Sequence, residues 1–167
     1  MDKLIKIGFG GGCHWCTEAV FQSLKGVYKV DQGYIASDGK NHSFSEAVIV
    51  YFNPLEIALK SLIEIHLYTH KSTSNHRMRD KYRSAVYSFS NKQERDSKVI
   101  IENLQQEFDG QIITTVIPFL EFKASREAIQ NYYQKHSDKP FCRNYINPKL
   151  EVLLQNFSET VIQEKFN

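Results

Sequence analysis

The chain has 167 residues, 41% of them hydrophobic, and a formal charge of +2 at pH 7, which suits one compact domain with its own core. So small a charge, with no block of like charges, gives no basis for nucleic-acid binding, and no apolar run approaches the ~20 residues of a membrane span. Met1-Asp2-Lys3 lacks a signal-peptide pattern, so the cytosol is the expected compartment, where three cysteines point to redox or metal chemistry before structural disulfides.

Leu4–Phe9 predicts a strand, Cys13–Leu24 a helix closed by Gly26, and Val27–Ile35 a second strand rich in Val, Tyr and Ile. Between the first two runs Gly10-Gly11-Gly12-Cys13-His14-Trp15-Cys16-Thr17-Glu18, which sets Cys13 where a strand hands over to a helix N-terminus. Free backbone N–H groups and the positive dipole end favour a thiolate there, and the glycines leave room for a substrate to approach the main chain. A turn-rich stretch, Ser37–His42, precedes Glu46–Phe52, which is apolar on both faces like a central strand and ends at Asn53-Pro54. A helical stripe follows from Leu55 to Tyr68. Thr69–Lys81 is polar and basic, a candidate functional loop, and leads to a strand over Tyr82–Phe89.

Ser90 or Asn91 caps a helix that carries Ile101, Leu104 and Phe108 on one face and stops at Gly110. Ile112–Phe122 is β-rich and interrupted by Pro118, and Ser125 opens a short helix ending near Gln134. Lys139–Cys142 reads as irregular and Lys149–Phe166 as a tail helix, so the segment from about 135 carries both Cys142 and that helix. Strands and helices alternate, yet two connections are short enough for antiparallel neighbours. The expected class is α+β: a mixed, largely antiparallel sheet with packed helices, a two-layer sandwich with a ferredoxin-like core, forming one catalytic domain over 1–167.

Gly8–Cys13 approaches the G-x-G-x-x-G of a dinucleotide site, but Cys13 takes the third glycine position and no acidic residue ends the next strand, which excludes that reading. Cys13, on a glycine turn before a helix, is favoured as a reactive thiol. Cys16 lies one turn on, as a disulfide partner for Cys13 or as a core residue beside Val20; Cys142 is a second thiol delivered by a mobile segment or a spectator. A zinc site from Cys13, Cys16, Cys142 and His136 has one C-x-x-C and no second pair behind it, and His66 and His70, at i,i+4, lack a third ligand. Glu46 begins a strand, where a partly buried carboxyl group can hold and donate a proton; Tyr82 stands beside the basic loop; Trp15 can line an apolar pocket or the core.

Taken in order, these motifs resemble the peptide methionine sulfoxide reductases of class A. Gly12-Cys13-His14-Trp15-Cys16-Thr17-Glu18 is similar to the family's Gly-Cys-Phe-Trp-x-x-Glu, and Gly33-Tyr34 to its Gly-Tyr. Ser45-Glu46-Ala47-Val48 with Asn53-Pro54 is similar to its Ala-Glu-Ala-Val and Asp-Pro, and Lys81-Tyr82-Arg83-Ser84-Ala85-Val86-Tyr87 to its Gln-Tyr-Arg-Ser-Ala-Ile-Tyr. Pro118-Phe119 and Gln130-Asn131-Tyr132-Tyr133 resemble its Pro-Phe and Gln-Gln-Tyr.

The resemblance implies a cofactor-free reduction of methionine S-sulfoxide, free or in proteins. Cys13 would be the nucleophile, Glu46 the proton donor, Tyr82 a hydrogen-bond donor to the sulfoxide oxygen, and His14, Trp15, Glu18 and Tyr34 the substrate-binding residues. Cys142 would resolve the resulting sulfenic acid, with Cys16 as a second or relay thiol, and thioredoxin or a similar dithiol would restore a monomeric enzyme. Three features differ from the family: His14 stands where it has Phe, the segment between Tyr34 and Glu46 is shorter and omits a second catalytic tyrosine, and Arg77 falls where it has an acidic residue before Tyr82. Tyr34 or Phe44 can compensate for the tyrosine, and Asp80 for the acid only if the loop runs differently. The competing readings are a thioredoxin-type C-x-x-C oxidoreductase and a zinc-binding interaction module.

Overall fold

The computed structural model describes residues 3–162. Its first six elements are β1 (Ile5–Gly10), α1 (His14–Gln22), β2 (Val27–Ala36), β3 (Ser45–Phe52), α2 (Leu59–Tyr68) and β4 (Ala85–Ser88). Their strands lie in the order β4-β1-β3-β2 with every neighbour antiparallel, the ferredoxin-like core expected of this α+β chain. α3 (Asn91–Leu104) carries the chain back so that β5 (Thr115–Pro118) pairs parallel to β4, and β6 (Glu121–Ala124) pairs antiparallel to β2 at the opposite edge. α4 (Tyr132–His136) and α5 (Asn147–Asn156) follow.

β5 and β6 are opposite edges of the six-stranded sheet, yet only Phe119 and Leu120 separate them. Five flat strand spacings would span about 24 Å, whereas three peptide steps reach about 11 Å, so the sheet has to curl. The link is fastened at both edges: Phe119 N–H donates to Ser88 O at 2.8 Å, and Leu120 N–H to Ala36 O at 3.2 Å. Phe119 and Phe122 pack on Ile35, Ala47, Ile49, Ala85 and Tyr87, so the curl closes over that face. The other face carries Ile7, Phe9, Val48, Val50 and Phe52 against Val20 and Phe21 of α1 and Leu62 and Ile63 of α2. No described helix is long and apolar enough to cross a membrane.

Alternation along β1 explains Gly8. Ile7 and Phe9 face the helices, and the opposite side at Gly8 is filled by Tyr87; a Cβ there would stand 2.8 Å from Tyr87 Cβ and 2.9 Å from Ile35 Cδ1. At the start of α3, Ser90 Oγ accepts from Gln93 N–H at 3.1 Å while Gln93 Oε1 accepts from Phe89 N–H at 2.8 Å, so Ser90 is the cap.

Four expectations about local structure are corrected. Tyr82 and Arg83 precede β4 instead of opening it, because this stretch is tied to the start of β3: Glu46 N–H donates to Lys81 O at 3.1 Å and Arg83 N–H to Ser45 Oγ at 2.8 Å. The helix expected from Ser125 is a single 3-10 turn, Glu127–Ile129, and α4 begins only at Tyr132, since Asn131 adopts a left-handed conformation at φ 57°. The chain is helical from Pro140 through a π-turn, Cys142–Ile146, into α5, so Cys142 lies in a helical segment with 0% exposure and not in an irregular one. α5 stops at Asn156, Val161 pairs with Leu24, and positions 163–166 of the expected tail helix lie outside the described residues.

Gly8→Ala is expected to destabilise the protein by about 1–3 kcal/mol through overpacking against Tyr87, lowering Tm by roughly 2–4 °C per kcal/mol. Gly12→Ala, whose Cβ meets nothing within 4 Å, is the matched control and stays within about 0.5 kcal/mol in thermal unfolding followed by circular dichroism.

Candidate active site

β1 and β3 are antiparallel, so the end of β1 and the start of β3 meet at one end of the sheet, with Gly10 paired to Ala47. The chain leaves β1 through the glycines and enters α1 with Cys13 at the N-cap; Cys16 N–H and Thr17 N–H donate to Cys13 O at 3.1 and 3.2 Å. The open space expected along the glycine run is confined to Gly12. A Cβ on Gly10 would lie 3.0 Å from both Arg83 O and Glu46 O, and one on Gly11 would collide with the His70 ring. His70 and His66 stack at 4.1 Å, and His70 Nδ1 donates to His66 O at 2.5 Å while its Nε2 meets Ser84 Oγ at 2.8 Å. Burial pushes His70 down to about 3, so this pair is a neutral packing element beneath the turn.

The Cys13 thiol is held below its ordinary value, first by the Cys16 thiol donating to it and then by the backbone N–H groups of Trp15 and Cys16; burial and the Glu46 charge oppose them. Cys16, the donor in that contact, is correspondingly pushed up, and Cys142 is raised by burial. Cys142 also interacts electrostatically with Cys16. Lys149 of α5 donates to Thr69 O, and its ammonium interacts with both Cys16 and Cys13, although burial lowers its own proton affinity. Nothing in the C-terminal sequence pattern singled this lysine out.

Glu46 reaches the same place from β3. Its Oε1 accepts the His14 backbone N–H at 3.2 Å and stands 3.4 Å from His14 Nε2; its Oε2 is 3.7 Å from Lys81 Nζ. His14 Nδ1 donates to Gly33 O at 2.7 Å, and the ring meets Tyr34 edge-on at 5.1 Å. Tyr34 is the cross-strand partner of Glu46, which places the two side by side on one sheet face. Lys81 also lies over the Tyr82 ring at 5.1 Å, bringing Tyr82 to this cluster from the loop before β4.

The basic loop is organised by Arg79, which the sequence does not distinguish from the other basic residues of Thr69–Lys81. Its guanidinium donates to Gly11 O at 2.9 Å, Tyr82 O at 2.8 Å, Ser74 O at 2.8 Å and Lys71 O at 2.5 Å. One planar fork thus pins the loop to the glycine turn, an arrangement for which only arginine has enough donors. Arg77 and Asp80 are exposed.

Glu18 does not face the Cys13 pocket. It is 1% exposed, and its carboxylate accepts from Gln32 Nε2 at 2.9 Å, Asn131 N–H at 2.9 Å and Tyr132 N–H at 3.2 Å. Burial raises it, opposed by those three donors. Its role is to brace the start of α4, which fixes Tyr132 against Trp15 with ring centroids 4.2 Å apart; Phe141 meets Trp15 edge-on at 5.1 Å. Trp15 therefore belongs to an aromatic wall beside Cys13. Among the described residues no group of three or more His, Cys, Asp or Glu side chains is placed to hold a metal ion, so Cys13, Cys16, Cys142 and His136 do not converge as zinc ligands.

Residues 5–161 match the family model described as peptide methionine sulfoxide reductase. Among curated relatives, peptide methionine sulfoxide reductase MsrA of Deinococcus radiodurans is 35% identical over 167 residues, covering 90% of this chain and 81% of that protein. Among solved structures, Mxr1 from Saccharomyces cerevisiae in reduced form superposes with a TM-score of 0.70 at 25% identity, covering 86% of this chain and 91% of that one. Mxr1 in complex with Trx2 gives a TM-score of 0.60 at 24% identity, over 78% and 85% of the two chains. A match running through every element from β1 to the residues after α5 places the chain in the peptide methionine sulfoxide reductase family.

Proposed function

We propose that Cys13 performs the thiol-dependent reduction of methionine S-sulfoxide that membership of this family brings, with Glu46 as the proton donor. The observation that carries the assignment is the 3.2 Å hydrogen bond from the backbone N–H of His14, the residue after Cys13, to Glu46 Oε1, which holds acid and nucleophile together. The substrate methyl group lies against Trp15 and the His14 and Tyr34 rings, and Tyr82 donates to the sulfoxide oxygen. The Cys13 thiolate takes up the oxygen as a sulfenic acid while methionine leaves. Cys16 then condenses with it, forming the Cys13–Cys16 disulfide and releasing water, and Cys142 attacks Cys16 to free Cys13.

Cys16 stands ahead of Cys142 as the first resolving thiol in this scheme, supported by its hydrogen bond to Cys13. Thioredoxin or a similar dithiol is the proposed reductant, supported by the solved complex of yeast Mxr1 with Trx2. The chain is proposed to act as one catalytic domain, which its length and hydrophobic content support, and, as the family resemblance implies, to work in the cytosol as a monomer, without a cofactor and on free or protein-bound sulfoxide. A thioredoxin-type oxidoreductase would leave Glu46 and the aromatic wall without a task, and no ligand set for a zinc module converges among the described residues.

Incubated with dithiothreitol and each epimer of a methionine sulfoxide peptide, the protein is expected to reduce the S epimer, and Cys13→Ser to lose at least about a thousandfold in rate. Absence of turnover with either epimer contradicts the proposal. The Cys16 contact gives a second test through the pH dependence of Cys13 alkylation. A lowered thiol stays ionised to more acidic pH, so the midpoint in the wild type is expected below the ordinary 9.0, and Cys16→Ala is expected to move it upward.

A further inference from the structure

The site contains a titratable ring where the resembled family has a phenylalanine, and its hydrogen bonding is specific. A carbonyl oxygen only accepts, so the 2.7 Å contact with Gly33 O fixes the proton on His14 Nδ1. His14 Nε2 is then left facing Glu46 Oε1 at 3.4 Å, in a pair whose side chains are 4% and 10% exposed. Glu46 Oε1 already accepts the His14 backbone N–H, and without a further proton its remaining lone pair and that of Nε2 face each other at 3.4 Å and repel. One proton between them removes the repulsion, whether it is written on the carboxyl or on the imidazole.

We propose that His14 and Glu46 hold one proton in common, and that this shared proton is the one delivered to the sulfoxide oxygen, with His14 as the residue that positions it. The inference rests on the reductase reading above. In balanced form, the Cys13 thiolate, the sulfoxide and the proton of the pair give Cys13–SOH and methionine. The sulfur–oxygen bond of the substrate breaks, one to Cys13 forms, and two electrons pass from the Cys13 sulfur to the substrate sulfur. The pair recovers its proton when the reduced Cys13 thiol next ionises.

Several groups face the pair. The Tyr34 ring edge abuts the imidazole from β2, and Gly33 O fixes its far nitrogen. Lys81, over Tyr82, lies 3.7 Å from Glu46 Oε2 on the loop before β4, and the Cys13 thiolate stands at the start of α1. Lys81 is thus the cation, and Cys13 the titratable thiol, that stand beside the pair. Burial lowers the proton affinity of the imidazole, opposed by Gly33 O and by the Glu46 charge, with Lys81 acting in the direction of burial. The ring thus serves as an acceptor that makes departure of the proton to solvent less favourable, a service that the phenylalanine of the family cannot give.

The test is the pH profile of a single turnover, read as the rate of methionine release from S-sulfoxide, for wild type and His14→Phe. Cys13 alkylation is followed in parallel so that changes in the nucleophile are separated from changes in the acid. The alkaline limb of His14→Phe is expected about one pH unit or more below that of the wild type, with the Cys13 alkylation midpoint shifting less. A uniform drop at all pH values, or an unshifted limb, overturns the proposal while leaving the reductase reading intact; absence of turnover in the wild type overturns that reading itself. Nitrogen-15 spectra of the His14 ring decide the case should His14→Phe not fold. Protonated Nδ1 throughout, with an Nε2 titration that changes in Glu46→Gln, is expected; an Nε2 titration indifferent to Glu46→Gln overturns it.

Discussion

The hydrogen bond from the His14 N–H to the Glu46 carboxylate joins the first turn of α1 to the first residues of β3, and the rest of the site is arranged around it. It exists because β1 and β3 run antiparallel in a register that pairs Gly10 with Ala47. Four residues beyond that pair the chain has turned into a helix, and one residue before it stands Glu46. A helix N-terminus supplies N–H groups with no partner in their own helix. Here the Trp15 and Cys16 groups favour the thiolate, while that of His14 holds the carboxyl group. The proposed nucleophile and acid are therefore positioned by one backbone feature.

The walls of the site are built by residues that never touch a reacting atom. Glu18 accepts from Gln32 and from the Asn131 and Tyr132 N–H groups, and through Tyr132 it sets the stacked partner of Trp15. Arg79 ties the loop that carries Tyr82 to Gly11, and Lys149 brings a cation from α5 to the thiols. The curl of the sheet completes this frame by burying Tyr87 beneath β1, which is why Gly8 has no side chain.

The sequence was most legible where chemistry is local. The strand, glycine turn and helix around Cys13, the strand from Glu46 and the Ser90 cap could be read because periodicity and capping act over a few residues. What escaped depends on contacts between distant segments. Glu18 looked like a substrate ligand because its partners lie more than a hundred residues away. Tyr82 looked like a strand start until Ser45 and Glu46 were found holding its neighbours. Cys142, after a proline, read as mobile, whereas Pro140 opens a helix that buries the thiol. Arg79 was hidden in a run of basic residues, where nothing marks which guanidinium finds four carbonyls.

The central assignment, that Cys13 takes the oxygen and Cys16 is first to receive the consequence, is tested most directly without any recycling reductant. Fully reduced protein, mixed rapidly with methionine S-sulfoxide and quenched within one turnover, is alkylated and mapped by mass. The expected result is one methionine released per chain with Cys13 and Cys16 joined in a disulfide and Cys142 still a thiol at the earliest times. Methionine released while Cys13 remains a free thiol would contradict it.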